Sequence, residues 1–500
     1  MTSLWLQDRS PEPTTDLARG ARYDHVVIGA GITGLVTAVL LARSGATVAV
    51  LEARHRGAVT TGNTTGKVSL LQGTRLSSIA SHHGMRAVND YVAANREGME
   101  WLLRYCADSG VDVDRESAIT YAAGADGAKT VRSQFRVARE AGLDVALIDH
   151  TELPFAVQAA VELADQAQLD PMPLLDALAD EVRRRGGTVI EGVRVTGTSL
   201  LRPALTSRGD LTVSTDRGQV SGGSVVVATG SPILDRGAHF ARLTAQRSYA
   251  GAFEIDDPMP RSMYLGADSP SVSLRYATRS DGTTYLLVGG FGHEVARGGS
   301  ERSHVDDLLT WTRRTFPSAR LHARWSAQDY SSFDQLPYVG PVLPGTDRVL
   351  VATGYAKWGM TNAVAAGLAM SAHLLGGDID WARTFRNSRP SQALSLPSAA
   401  SANASVGLHM ARGWAKVVAS TDPGTPREGE ARTGHRGGKP IAACTVEGAT
   451  HTVSPVCPHL FGIVEWNDAE KSWDCPLHGS RFAADGAVLE GPATSPLTAM

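Results

Sequence analysis

Four residues near the C-terminus carry metal chemistry in their spacing. Cys457-Pro458-His459 is followed, after fifteen residues, by Cys475-Pro476-Leu477-His478. Thiolates and imidazoles in this number suit two kinds of centre. In a [2Fe–2S] cluster two thiolates hold one iron and two imidazoles the other, which raises the reduction potential above that of an all-cysteine cluster. A tetrahedral zinc ion takes the same four side chains. Zinc fingers pair Cys with Cys and His with His, whereas each clamp here mixes one of each. The cluster is therefore favoured over zinc, and with it one-electron chemistry.

A second set of residues sits near the N-terminus. Gly29-x-Gly31-x-x-Gly34 is weak evidence alone in a chain with 52 glycines. Its setting strengthens it: a strand-like run Asp24–Ile28 precedes it, and a helix opens on it and runs to Ser44-Gly45. The next strand, Thr47–Leu51, ends at Glu52. Glycines here permit a tight turn, close approach of a diphosphate and close helix–strand packing, while the acid takes ribose hydroxyls. The diphosphate then rests on the helix N-terminus. This is a dinucleotide site.

The elements that must position these groups alternate β-α-β, which predicts a parallel sheet with helical cover. Asp170-Pro171 reads as an N-cap with proline in the first turn, opening a helix to Arg183-Arg184-Arg185-Gly186. The three arginines there are read as cations at a helix C-terminus. Two further strands end alike, at Ala228-Thr229-Gly230 and at Ala352-Thr353-Gly354. Tyr285–Val288 reads as strand and Val305–Phe316 as helix. Between His459 and Cys475, Ile463–Trp466 and Ser472–Asp474 flank a turn at Asn467-Asp468, a hairpin that brings the two clamps together. Ser391–Ser405 is rich in Ser, Ala and Pro and reads as linker, followed by an amphipathic stretch Val406–Val418. His82-His83 reads as a solvated turn.

Composition bounds the function. The 500 residues suit about three domains. A net charge of -3 gives no electrostatic basis for nucleic-acid binding. Four cysteines, two of them committed to the metal, offer no disulfide framework, and Cys106 and Cys444 are read as structural. The first residues lack the pattern of a signal peptide and no apolar run reads as a transmembrane segment, so a cytoplasmic location is expected.

Several further segments resemble the D-amino-acid oxidase/glycine oxidase (DAO) superfamily of FAD-dependent oxidoreductases. Gly62-Asn63-Thr64-Thr65-Gly66-Lys67 is similar to its second flavin-contacting stretch, and the strand ending Thr229-Gly230 to its second dinucleotide strand. Asp334-x-x-Pro337-x-x-Gly340 and Gly354–Thr361 are similar to its D-x-x-P-x-x-G segment and C-terminal FAD loop. The resemblance implies FAD, bound by Gly29, Gly31, Gly34, Glu52, Asn63, Thr64, Thr65, Gly66, Lys67, Thr229, Gly230, Gly354, Lys357, Gly359, Met360 and Thr361. The C-terminal clamps, with His478-Gly479-Ser480-Arg481-Phe482 and Gly491-Pro492-Ala493, resemble the Rieske [2Fe-2S] family, with Cys457, His459, Cys475 and His478 as ligands. Many members carry a further cysteine in each loop, joined as a disulfide; Gly462 and Leu477 stand in those places, so that staple is expected to be absent. Ser480 matches a serine that raises the potential by hydrogen bonding. Phe482 replaces a tyrosine that often adds a second such bond, which predicts an intermediate potential.

Together these resemble the YhfW-like family of bacterial oxidoreductases. The expected fold is an α/β FAD-binding Rossmann-like domain with an α+β substrate domain, in the DAO and glutathione-reductase-like manner, plus a C-terminal all-β Rieske domain. Expected bounds are a lead-in over 1–20, the DAO-like domain over 21–385 with substrate parts near 80–165 and 240–335, a linker over 386–426 and the Rieske domain over 427–500. The expected activity is oxidation of a C–N bond of an amine or amino acid, as a dehydrogenase. Electrons then leave through the cluster to a protein or quinone acceptor. A non-enzymatic redox sensor or electron-transfer partner is the alternative. An oxygenase's D-x-x-H-x₄-H triad and a second nucleotide fingerprint are both absent from the sequence. Candidate substrate contacts are Arg324 with Trp325 and Gln328, read either as a guanidinium fork for a carboxylate or as a surface salt bridge, and His293; Lys357 is read as reaching the flavin or solvent.

Overall fold

The computed structural model describes residues 1–9, 16–198, 209–234, 237–389 and 396–500. Part of the expected linker, 390–395, lies outside the described residues.

Strands Arg22–Ile28, Val48–Leu51, Thr188–Ile190, Gly218–Val227 and Val349–Thr353 pair in parallel. Their inner residues, among them Val26-Val27-Ile28 and Val225-Val226-Val227, are buried without alternation, as expected of a sheet covered on both faces. Helices Ile32–Arg43 and Gly359–Leu374 pack together on one face. A Cβ at Gly367 would lie 2.8 Å from Val36, so glycine sets their close approach. The helix Pro171–Arg184 begins as its sequence predicts: Asp170 accepts the N–H of Met172 at 2.8 Å. At its other end Arg183 pairs with Asp180 and Arg185 with Glu181.

A second, nine-stranded sheet is formed largely by the segments expected to meet substrate, and is called the substrate sheet. At its edge, strand Arg320–Ser332 pairs with Leu243–Glu254, which pairs with Thr284–Glu294. Helix Glu301–Thr315 packs on the latter two strands. Helical residues Arg75–Ser109 are kinked at Gly84 (φ 75°). His82 and His83 lie in this helix instead of a solvated turn, and His83 bonds the Asp334 carbonyl.

The C-terminal unit combines strands Ala431–Arg436, Lys439–Val446 and Ala449–Val453 with a sheet of Glu465–Asn467, Ser472–Asp474, Arg481–Phe482 and Val488–Glu490. Trp473 and Phe482 are at its core. The hairpin Glu465–Asn467/Ser472–Asp474 forms between the clamps.

Two segments differ from the sequence reading. Leu396–Ala419 is one helix, so the linker composition and the amphipathic stretch belong to a single element. It packs on the C-terminal unit: Trp414 Nε1 donates to the Phe461 carbonyl at 3.1 Å, and Lys416 pairs with Glu465. Alanine favours helix strongly enough to override the linker-like content. The start of the lead-in is also anchored, while its residues 10–15 lie outside the described residues. Leu4 and Trp5 are buried, Ser3 Oγ donates to the Gly62 carbonyl and Trp5 Nε1 to the Thr64 carbonyl. Among the described residues no helix is long and apolar enough to cross a membrane.

Candidate active site and metal centre

The dinucleotide cavity opens where the parallel strands end, the place such sheets reserve for ligands. Gly29 turns at φ 106°, and a Cβ at Gly34 would lie 1.9 Å from the Gly29 carbonyl oxygen. Gly31 gives the helix Ile32–Arg43 no side-chain cap; the Ile32 N–H reaches Thr61 Oγ1 at 3.4 Å, and the next N–H groups of the first turn are left to a diphosphate. Glu52 accepts the N–H groups of Ala30 and Arg54, each at 2.9 Å. Burial raises its pKa against those bonds. This cradle fits FAD.

Of the sixteen residues assigned above to FAD, Gly29, Gly31, Glu52, Thr64, Thr229, Gly230, Lys357, Gly359 and Met360 line the cavity. Gly34, Asn63, Thr65, Gly66, Lys67, Gly354 and Thr361 do not. Lys67 is turned away: its ammonium donates to the Tyr264 carbonyl and Ser273 Oγ, and burial depresses its pKa. Asn63 bonds back to the Val59 carbonyl, and the Thr361 hydroxyl joins Asn95 and Gln72. Thr60, Thr61, Arg54, Arg194 and Asp329 line the cavity without having been marked by any sequence motif.

The substrate candidates are corrected by strand phase. Successive residues of a strand face opposite sides. Arg324, Ser326 and Gln328 share the outer face of Arg320–Ser332, and Asp329 turns inward to the cavity. Arg324 is exposed there and forms no fork over the cavity. Trp325 faces inward, its Nε1 donating to the Asn63 carbonyl at 2.9 Å. His293 is on the outer face beside Arg247, its register partner. It bonds the Tyr249 hydroxyl at 3.0 Å and stacks on His304. Burial lowers its pKa. At the cavity, the Lys357 N–H donates to Asp329. Burial raises the Asp329 pKa and lowers that of the Lys357 ammonium, each opposed by the other's charge.

The metal centre is built from two loops with one backbone design. Cys457 N donates to Gly462 O and Phe461 N to Cys457 O; Cys475 N donates to Ser480 O and Gly479 N to Cys475 O. The two buried thiols lie within hydrogen-bonding reach of each other. Cys475, the His459 N–H and the Ser480 hydroxyl together lower the Cys457 pKa against its burial. The rings of His459 and His478 meet edge to face at 5.2 Å. A thiol pair beside an imidazole pair fits two irons better than one zinc. All four cysteines are free. In place of a staple, Leu477 covers Gly462, where a Cβ would lie 2.5 Å from the Leu477 side chain. Ser480 Oγ accepts the Ala493 N–H at 3.0 Å, which leaves its proton for the sulfur side.

This unit is docked on the outer face of the substrate sheet. Gln328 Nε2 donates to the Gly479 carbonyl at 2.7 Å, and Arg297 Nε to the Pro476 carbonyl at 2.8 Å. Phe240 packs edge-on against both His459 and His478. Arg247 reaches Glu470, Gln328 and Ser326, and Arg481 reaches Glu470, Asp474 and Glu490. Burial would raise the Glu470 pKa, but Arg481 and Arg247 outweigh it and hold the carboxyl at about 2. Glu490 has less compensation, and burial pushes it up to about 7.

Comparison with known proteins follows the same division. The FAD dependent oxidoreductase family model matches residues 24–373, and the Rieske [2Fe-2S] domain model matches 413–500. The chain is 31% identical over 487 residues to the putative Rieske 2Fe-2S iron-sulfur protein YhfW of Bacillus subtilis, covering 96% of this chain and 94% of that one. Over 45 residues, 9% of this chain, it is 49% identical to the chloroplastic cytochrome b6-f complex iron-sulfur subunit of Arabidopsis thaliana, covering 20% of that protein. Glycine oxidase from Geobacillus kaustophilus superposes with a TM-score of 0.62 at 19% identity, over 74% of this chain and 99% of that one. L-proline dehydrogenase from P. horikoshii gives a TM-score of 0.58 at 17% identity, over 72% and 95%. The chain thus belongs to the FAD dependent oxidoreductase family, with a Rieske [2Fe-2S] electron-transfer domain fused at its C-terminus.

Proposed function

We propose that the protein is a dehydrogenase that oxidises a C–N bond of an amine or amino acid and sends the electrons out through the cluster. One observation carries this reading. Gln328 and Asp329 are consecutive, yet the first holds the loop of His478 and the second faces the FAD cavity. A single strand therefore separates the two cofactor sites. When bound, FAD supplies a two-electron acceptor and the [2Fe-2S] cluster a one-electron relay. The chain's own residues divide the remaining work.

Gly29, Gly31 and the uncapped helix end hold the diphosphate, and Glu52 the ribose. Asp329 and Lys357 offer the reacting end of the cavity one group of each charge. At the cavity wall Lys357 is exposed and Asp329 half-buried, so both are open to a substrate group. Cys457, His459, Cys475 and His478 ligate the cluster. Glycine oxidase and L-proline dehydrogenase, which share the fold, support an amine or amino-acid substrate. The external acceptor is a protein or a quinone, and four free thiols suit a reducing cytoplasm.

The test is an anaerobic screen of amines and amino acids with an artificial one-electron acceptor. Turnover with flavin bleaching is expected for at least one compound class. Flavin that no amine or amino acid bleaches would contradict the assignment and favour the redox-sensor alternative.

A further inference from the structure

The cavity at Gly29 and Glu52 is not enclosed by the flavin domain alone. Leu489, Glu490, Gly491, Ala493 and Thr494, all from the cluster domain, form part of its wall. They are held from two sides. Arg194 Nη2 donates to the Val488 carbonyl at 2.8 Å, and a Cβ on Gly491 would lie 3.2 Å from Ile233. Arg194 and Ile233 themselves line the cavity. Glu490 is 7% exposed, and its Oε1 is buried without a hydrogen-bond partner. A buried carboxylate oxygen left unpartnered costs free energy, so such an atom in a cavity wall points to a ligand that supplies a donor. The ribose and ribityl hydroxyls of a flavin dinucleotide are donors of this kind.

We propose that the cluster domain is the lid of the FAD site, with Leu489–Thr494 as the covering segment and Glu490 as a contact to a dinucleotide hydroxyl. This rests on FAD occupying the cavity. FAD enters or leaves only when the cluster domain lifts from the substrate sheet. Lifting breaks the bonds of Gln328 to Gly479, Arg297 to Pro476, and Asp468 to Ser300 and the Arg302 N–H. Electron transfer and flavin retention then depend on one docking event, so a protein that has lost its cluster-domain contact also loses its flavin.

The test uses the full-length holoprotein. Ser300 Oγ donates to Asp468 Oδ2 at 2.6 Å, and neither residue lines the cavity or ligates the cluster. A Ser300→Cys/Asp468→Cys variant can be locked by mild oxidation. Exchange of bound FAD for radiolabelled FAD is then followed in the oxidised and reduced forms. Locking should slow exchange by about tenfold or more, because the opening route is removed. The paired variant Asp468→Ala/Arg297→Ala should speed exchange, and Glu490→Gln should weaken FAD affinity severalfold. Equal exchange rates in the locked form, the reduced form and the paired variant would overturn the lid. Absence of any bound FAD from the reduced protein would overturn the reading of the cavity itself, a distinguishable result.

Discussion

The two ligand loops of the cluster share a backbone plan and differ in what they face. Each cysteine N–H closes on a carbonyl five residues ahead, and each loop takes a left-handed step four residues after its cysteine. In the first loop that residue is Phe461, at φ 57° and 61% exposed. In the second it is Gly479, at φ 81°, where a Cβ would lie 2.5 Å from Ala245 and 2.8 Å from Gln328 Nε2. Backbone conformation alone does not demand glycine, since phenylalanine makes the same step. The flavin domain demands it. Pro476, Leu477 and His478 are buried with Gly479, while Pro458 is exposed and His459 half-buried. One loop is pressed onto the strand that lines the FAD cavity and the other looks outward. The proposed function then predicts that electrons enter the cluster on the His478 side and leave on the His459 side.

The largest disruption of this asymmetry is Gly479→Ala. The left-handed conformation costs alanine about 1–2 kcal/mol, and the collision with Ala245 and Gln328 adds about 1–3 kcal/mol. Flavin-to-cluster transfer should slow by roughly tenfold to a hundredfold as the docked population falls, with the cluster's EPR signal retained. Stopped-flow absorbance measures the rate. The matched change Phe461→Ala should leave internal transfer unaltered. Equal loss in both variants would erase the distinction between the loops.

Gln328→Leu comes next. It strands the Gly479 carbonyl and removes one partner of Arg247, at a cost of about 1–3 kcal/mol for the buried groups left unpaired. A lower Tm together with slower internal transfer is expected; a lower Tm alone would make Gln328 purely structural.

A third prediction concerns pH. The Glu490 carboxyl is raised from 4.5 to about 7 in the folded protein. The folded state thus holds its proton more tightly, so stability falls as pH rises from about 4.5 to about 7 and is level above that. The span is at most about 3 kcal/mol. Glu490→Gln should flatten this decline, gaining Tm relative to the parent at pH 8 but not at pH 4.5. An unchanged pH profile would remove Glu490 from the titrating groups of the interface.

The smallest expected effect is on potential. Ser480 receives the Ala493 N–H and directs its hydroxyl toward Cys457. Ser480→Ala should lower the midpoint potential in a redox titration, and Phe482→Tyr should raise it.

How much of this was legible in the sequence follows from distance along the chain. The cluster ligands and the Gly29–Glu52 cradle are compact motifs whose spacing carries their chemistry. Gly462 and Leu477 signalled a missing staple, and the structure shows them in contact. That Arg324, His293 and Gln328 lie on the outer face is not recorded locally, because the phase of a strand against a cavity is set by sheet packing. A shift of one residue, from Gln328 to Asp329, exchanges the cluster side for the flavin side. Lys67 looks like part of a flavin stretch but is drawn into the core by Tyr264 and Ser273, 197 and 206 residues away. The segment Leu489–Thr494 meets Arg194 and Ile233, Trp5 meets Thr64 and Leu4 meets Arg279, contacts far along the chain that no local pattern records.

On the proposed route the cluster drains the flavin inside one molecule. Rapid-freeze EPR of a single anaerobic turnover, with flavin absorbance followed in parallel, tests it most directly. Flavin bleaching should be followed by the reduced cluster's EPR signal before any external acceptor is added. A flavin that stays bleached beside an EPR-silent cluster, and yields stoichiometric hydrogen peroxide once air is admitted, would contradict it.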